Sequence, residues 1–121
     1  MEVTTLDAWC ARSGVVPDLL KIDVEGHELD VLAGASDVLH SVSVVQFEFG
    51  GCNIDTRTYF QDFFYFFTRA GFNLFRLGPK GLDRIAAYSE AEESFQTTNY
   101  FAVRAPRSSR PADPRQYPPS R

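Results

Sequence analysis

Phe60, Phe63, Phe64 and Phe67 recur at helical spacing and form one apolar stripe, widened by Tyr59 and Phe66. That periodicity predicts an amphipathic helix running to about Ala70, with Gly71 in the C′ position and Thr56 or Thr58 placed to cap its start. The clearest strand is Val42 to Phe49, VSVVQFEF, ended by Gly50-Gly51. Leu19 to Val24 reads as a shorter buried strand, Phe72 to Leu77 as a third, Ile85 to Tyr88 as a short extended piece and Tyr100 to Arg104 as the last. Met1 to Thr5 reads as a short strand or loop. Leu6 to Ser13 predicts a first helix stopped by Gly14, and residues 28 to 33 a second that stops near Gly34. Ser36 is placed to cap a further turn, Asp37 to His40, with Leu39 inward. Pro17-Asp18 and Gly78-Pro79-Lys80-Gly81 read as turns, and residues 89 to 98 as a polar, acidic connection.

The order is strand, helix, strand, helix, strand, loop, strand. Strands joined by crossover helices are expected to run parallel with right-handed connections. The final polar loop favours an antiparallel pair at one end of an otherwise parallel sheet. The fold class expected is therefore α/β, half of a doubly wound sheet, mostly parallel with an antiparallel terminal pair.

Composition narrows the functional classes. The chain has 121 residues, enough for one domain, with 44% hydrophobic residues and a formal net charge of -4. No Lys/Arg stripe interleaves with the aromatics, which argues against a nucleic-acid partner. Cys10 and Cys52 match no zinc spacing, so a reduced, cytoplasmic setting is expected. No basic stretch followed by an apolar run opens the sequence, and no apolar run nears the ~20 residues of a membrane span. From Pro106 onward prolines alternate with Arg and Ser, so residues 105–121 read as a disordered tail behind a domain over 1–104.

The run Leu19-Leu20-Lys21-Ile22-Asp23-Val24-Glu25-Gly26-His27-Glu28 carries the chemistry. It is a strand that ends in carboxylates and passes through a glycine into a helix. Ligands of open α/β sheets bind outside the carboxyl ends of the strands. With Thr5-Leu6-Asp7, the stretch LLKIDVEGHELDVLAGA at 19–35, FEFG at 47–50, Gly71-Phe72 and Asn99-Tyr100-Phe101-Ala102-Val103, it resembles the C-terminal part of the FkbM family of S-adenosylmethionine-dependent methyltransferases, over roughly residues 3–104.

That resemblance implies a Rossmann-like class I methyltransferase sheet, here its C-terminal half. It implies S-adenosylmethionine as cofactor and O-methyl transfer to a hydroxyl of a sugar, glycolipid or natural product, a small-molecule acceptor. The family's Asp-Val-Gly-Ala-Asn-like glycine loop has no counterpart in this sequence. The expectation is a partial domain lacking the N-terminal cofactor-binding half, with no S-adenosylmethionine binding by the chain alone. A non-catalytic remnant, or a half-domain that associates with itself or a partner at the open edge of the Leu19–Val24 strand, is the alternative. A hydrolase reading has less behind it, because no nucleophile elbow is present.

Asp23 and Glu25 alternate across the strand end. Asp23 is placed to face the cofactor's methyl group or the acceptor hydroxyl, or else to order the loops. Glu25 is a catalytic candidate or a receiver of N–H groups from the following helix. His27 is placed either as a base for the hydroxyl proton or toward solvent. Glu28 reads as support for the helix start or a partner of Lys21 or an arginine. Glu48, near the end of the next strand, is expected to share a cleft with Asp23. Two carboxylates are too few donors to assign a metal. Asn53, just past the glycine pair, is a candidate substrate contact.

Overall fold

The phenylalanine stripe decides where the core lies. The computed structural model describes residues 3–106, so nearly all of the expected tail lies outside the described residues. In chain order the elements are α1 (Leu6–Ser13), β1 (Leu19–Ile22), α2 (Glu28–Ala33), a 3₁₀ turn (Val38–His40), β2 (Val44–Phe49), α3 (Cys52–Thr56), α4 (Phe60–Arg69), β3 (Phe72–Gly78), β4 (Gly81–Ile85), a second 3₁₀ turn (Glu90–Glu92) and β5 (Thr98–Arg104). Phe60, Phe63, Phe64 and Phe67 of α4 are all buried. Phe47 of β2 stacks at 5.0 Å on Phe63, 5.1 Å on Phe67 and 5.6 Å on Tyr100 of β5. Phe49 meets Phe60 and Phe63 edge-on.

The five strands form one sheet in the order β1-β2-β5-β3-β4. β1 and β2 are parallel, and every other neighbouring pair is antiparallel. This corrects the expectation of a mostly parallel, doubly wound sheet. β1, β2 and β3 do run in one direction, because β2 and β3 are both antiparallel to β5. However, β5 lies between β2 and β3 instead of at an end, so the result is a mixed sheet consistent with a Rossmann-like fold. The connection after β4 is long enough to carry the chain back across the sheet. Arg104 anchors the arrival: its Nε donates to the Val42 carbonyl at 2.9 Å, its guanidinium also donates to the Leu39 carbonyl, and it lies 4.4 Å from the Phe72 ring centroid.

Burial alternates along β2, with Val45, Phe47 and Phe49 inside and Val44, Gln46 and Glu48 half-buried. One face of the sheet is therefore packed under the helices, and the other, carrying Lys21, Gln46, Phe101 and Phe75, stays partly open. That alternation is the habit of an antiparallel sheet with one covered face, not of a doubly wound one.

Local capping explains the sequence around the first helices. Thr5 Oγ1 accepts from the Ala8 amide at 3.1 Å and starts α1. Asp7 then reaches out of α1 to receive the amides of Asp37 at 3.0 Å and Val38 at 2.9 Å. The Asp37 amide, seconded by Val38 and the Ser36 hydroxyl, holds the Asp7 carboxyl below its ordinary range. This contribution is present above the unfolded value and is lost as pH falls through the folded one.

α4 is not capped by Thr56 or Thr58. Asp62 Oδ2 receives the Tyr59 amide at 2.9 Å, and Glu93 of the acidic connection receives the amides of Phe60 at 2.6 Å and Gln61 at 2.9 Å. Glu93 Oε2 also accepts from the Tyr88 hydroxyl at 2.5 Å. Burial, then the hydrogen bond and charge of Glu93, push the Tyr88 phenol above its ordinary pKa. The protonated phenol is favoured in the folded state, so its contribution is intact below about pH 10, where the unfolded chain's tyrosines ionise, and is lost as pH rises toward the folded value. Thermal melts in alkaline buffer are expected to show this loss in the native sequence and a shallower one in Tyr88→Phe.

Candidate active site

β1 ends at Ile22, two residues earlier than the hydrophobic pattern suggests, so Asp23 to Gly26 form a loop and not strand. The strict alternation expected of Asp23 and Glu25 therefore does not apply. Glu25 takes a left-handed conformation (φ 52°) and Gly26 follows at φ 104°. The loop is held from inside by Glu28, which is 1% exposed. Its carboxylate receives the Val24 amide at 3.4 Å and the Gly26 amide at 3.3 Å and 3.1 Å. Among the described residues neither Lys21 nor an arginine pairs with Glu28; three backbone contacts satisfy it instead.

The loop after β2 closes the other side. A Cβ on Gly26 would stand 2.7 Å from the Cys52 carbonyl oxygen, and one on Gly50 would stand 2.5 Å from the Thr97 Cα. Both glycines are required by close approach of backbone. α3, which the sequence pattern did not suggest, begins here. Asn53 is 2% exposed, and its amide is engaged at both ends: Oδ1 accepts from the Gly50 amide at 2.9 Å and Nδ2 donates to Thr58 Oγ1 at 2.8 Å. Thr56 and Thr58, expected as helix caps, extend that cluster, with hydroxyls 2.9 Å apart.

These loops border a small, half-open cavity of about 10 Å³ lined by Glu25, Glu28, Glu48, Asn53 and Thr97, among others. That is room for about one water molecule. The structure thus brings Glu25 and Glu48 to one small volume; Asp23, expected to share a cleft with Glu48, is exposed and is not among the residues that line it. His27 projects outward and its Nδ1 lies 3.0 Å from Asp30 Oδ2. Larger open grooves flank α2, one of about 500 Å³ along Leu29, Phe66 and Arg69 and one of about 410 Å³ along Thr5, Leu6 and Val31. None of Asp23, Glu25, His27 or Glu48 lines either. Among the described residues no group of three His, Cys, Asp or Glu side chains is placed to hold a metal ion. Both cysteines are free thiols, Cys10 buried and Cys52 exposed at the cavity rim. No helix is long and apolar enough to cross a membrane among the described residues.

Residues 1–74 match the methyltransferase FkbM domain. The chain belongs to this family. The FkbM match covers more than half of the 121 residues and includes β1, β2 and both strand-end loops, so the carboxylate site described above belongs to an S-adenosylmethionine-dependent methyltransferase fold. The match corrects the extent of the resemblance. It spans the N-terminal portion of this chain and stops within β3, leaving Asn99 to Val103 outside. The assignment to the C-terminal half of the FkbM domain over residues 3–104 does not stand, and neither does the half-sheet fold class drawn from it. No curated protein and no solved structure matches the chain.

S-adenosylmethionine is the cofactor that the FkbM family implies. The small cavity at the strand ends does not fit it: a ligand of nucleoside size takes a pocket of about 300 Å³ or more. The side chains here are mostly carboxylates, which accept hydroxyl and amine protons and do not suit the cofactor's own carboxylate.

Proposed function

We propose that the chain methylates a hydroxyl group, and that the ends of β1 and β2 supply the acceptor side of that reaction. The observation that carries this reading is the placement of Glu25 and Glu48 around one water-sized cavity, with the His27–Asp30 pair next along the chain. An acceptor oxygen must give up its proton as it takes the methyl group. Exposed carboxylates at the rim accept that hydroxyl's hydrogen bond and fix its direction, which is the larger part of catalysis by positioning. Asp30 accepts the Nδ1 proton of His27 and leaves Nε2 with its lone pair outward, the tautomer of a general base. Asn53 shapes the site from beneath, its amide already spent on Gly50 and Thr58. The acceptor class is a sugar, glycolipid or natural-product hydroxyl.

The test is incubation of the full chain with methyl-labelled S-adenosylmethionine and panels of these hydroxyl compounds. Label recovered in a base-stable methyl ether is the expected product. Label only in base-labile esters, or none in any acceptor, counts against the assignment. A second reading, a module that works through association, is favoured by one observation: β1 is an edge strand flanked by the exposed side chains of Val15, Val16, Leu19 and Val24. No transfer combined with concentration-dependent association in sedimentation would favour it.

A further inference from the structure

Among the described residues, Glu25, Arg57 and Phe95 are the non-glycine residues with left-handed backbone, at φ 52°, 56° and 55°. Two have evident reasons. Arg57 closes α3 at the position where left-handed caps occur. Phe95 puts its ring 5.2 Å from Phe49 and 6.3 Å from Tyr59. Glu25 has no such reason: it is exposed, caps no helix, and its carboxylate has no hydrogen-bond or ionic partner among the described residues. A Cβ makes this conformation costly, and nothing that Glu25 itself touches compensates for it.

The compensation comes from Glu28. The amides it receives belong to Val24 and Gly26, the residues on either side of Glu25. A buried carboxylate with no cation beside it is costly unless backbone donors satisfy it, and these donors do so only while the loop keeps its turn. The contact of Gly26 with Cys52 clamps the same turn from the opposite side. What the turn achieves is to leave the Glu25 side chain on the cavity that Glu48 also lines.

We propose that Glu28 is a positioning residue: its carboxylate holds the turn at 24–26, and with it Glu25 in a left-handed conformation that presents the Glu25 carboxylate to the acceptor hydroxyl. The proposal rests on the acceptor-site reading above and adds which carboxylate is presented and what holds it there. Left-handed strain persists where the surroundings over-determine it, and it collects at functional sites.

Thermal melts of the full chain read the strain. Glu25→Gly is expected to raise the melting temperature by about 3 °C, since glycine enters the left-handed region freely. Glu25→Ala keeps the Cβ and is expected to leave it unchanged. Glu28→Gln lowers it, and lowers it less in the Glu25→Gly background, because there is less strain to hold; such non-additivity marks a coupled pair. The kcat of methyl transfer reads presentation: Glu25→Gln lowers it in the native background and has no further effect in Glu28→Gln, a non-additivity that a merely structural Glu28 would not produce. A lower melting temperature in Glu25→Gly overturns the proposal, and so does an equal Glu28→Gln cost in both backgrounds. The Glu25→Gly melt leaves the buried carboxylate untouched, so it decides the question even where Glu28→Gln does not fold. Failure of the transfer assay alongside these expected melts removes the acceptor reading and leaves the clamp.

Discussion

Phe47→Ala is expected to destabilise the domain by about 3–5 kcal/mol, the range for large-to-small changes at buried aromatic positions. Phe47 is fully buried and stacks on Phe63, Phe67 and Tyr100 at once. It therefore links the central strand pair β2–β5 to α4. Rings at 5.0–5.6 Å on three sides leave the surrounding structure little freedom to close over the missing side chain. A typical domain has a net stability of only about 5–15 kcal/mol, so this single change removes a large part of it. Chemical denaturation should show the midpoint falling sharply with an unchanged slope. A loss under about 1 kcal/mol would show that Phe47 is not the link between sheet and helix.

The second large effect concerns chemistry. His27→Gln is expected to lower methyl transfer by about 10²–10⁴-fold, the usual contribution of a positioned general base, while leaving the melting temperature nearly unchanged. His27 is solvent-exposed and makes one side-chain contact, to Asp30, so little packing is lost with it. Asp30→Asn keeps an acceptor for Nδ1 and so keeps the ring oriented, and a smaller loss of rate is expected. A His27→Gln variant with native turnover would reassign proton removal to the carboxylates at Asp23, Glu25 and Glu48.

Much of the architecture is written in local patterns. The Phe60–Phe67 stripe, Gly14 as the left-handed end of α1, and the strand-to-helix passage through Gly26 are all visible because each is decided by neighbours in sequence. The FkbM family is legible in the same way, in the Lys21-to-Glu28 run. What escapes is decided by distant partners. Capping of α4 by Glu93 joins positions 60 and 93, and nothing near Phe60 points to it. The length of β4 depends on pairing with β3, which draws Gly81 to Ile85 into a strand where the pattern suggested a piece from Ile85 to Tyr88. α3 is a short turn of mixed polar residues with no apolar stripe to signal it.

The site divides along the same line. That Glu25 and Glu48 line one cavity follows from adjacent strand ends. The left-handed turn at Glu25 and the internal engagement of Asn53 do not, because both depend on which amides a buried side chain finds. Glu28 makes the most contacts in the loop. An acidic residue at the start of a helix reads as support for that start or as a partner of Lys21 or an arginine; that it turns inward to two loop amides is decided by its burial.

The place of β5 has a consequence for how the molecule is made. β2 and β3 have no hydrogen bonds to each other, and each finds its partner in β5, the last strand in chain order among the described residues. Until residues 98–104 emerge from the ribosome, β1–β2 and β3–β4 have no strand to join them. Topologies dominated by such distant pairings fold slowly and stay open to aggregation meanwhile. Nascent chains stopped short of Thr98 should therefore be protease-sensitive throughout, and protection should appear in a single step once β5 clears the exit tunnel.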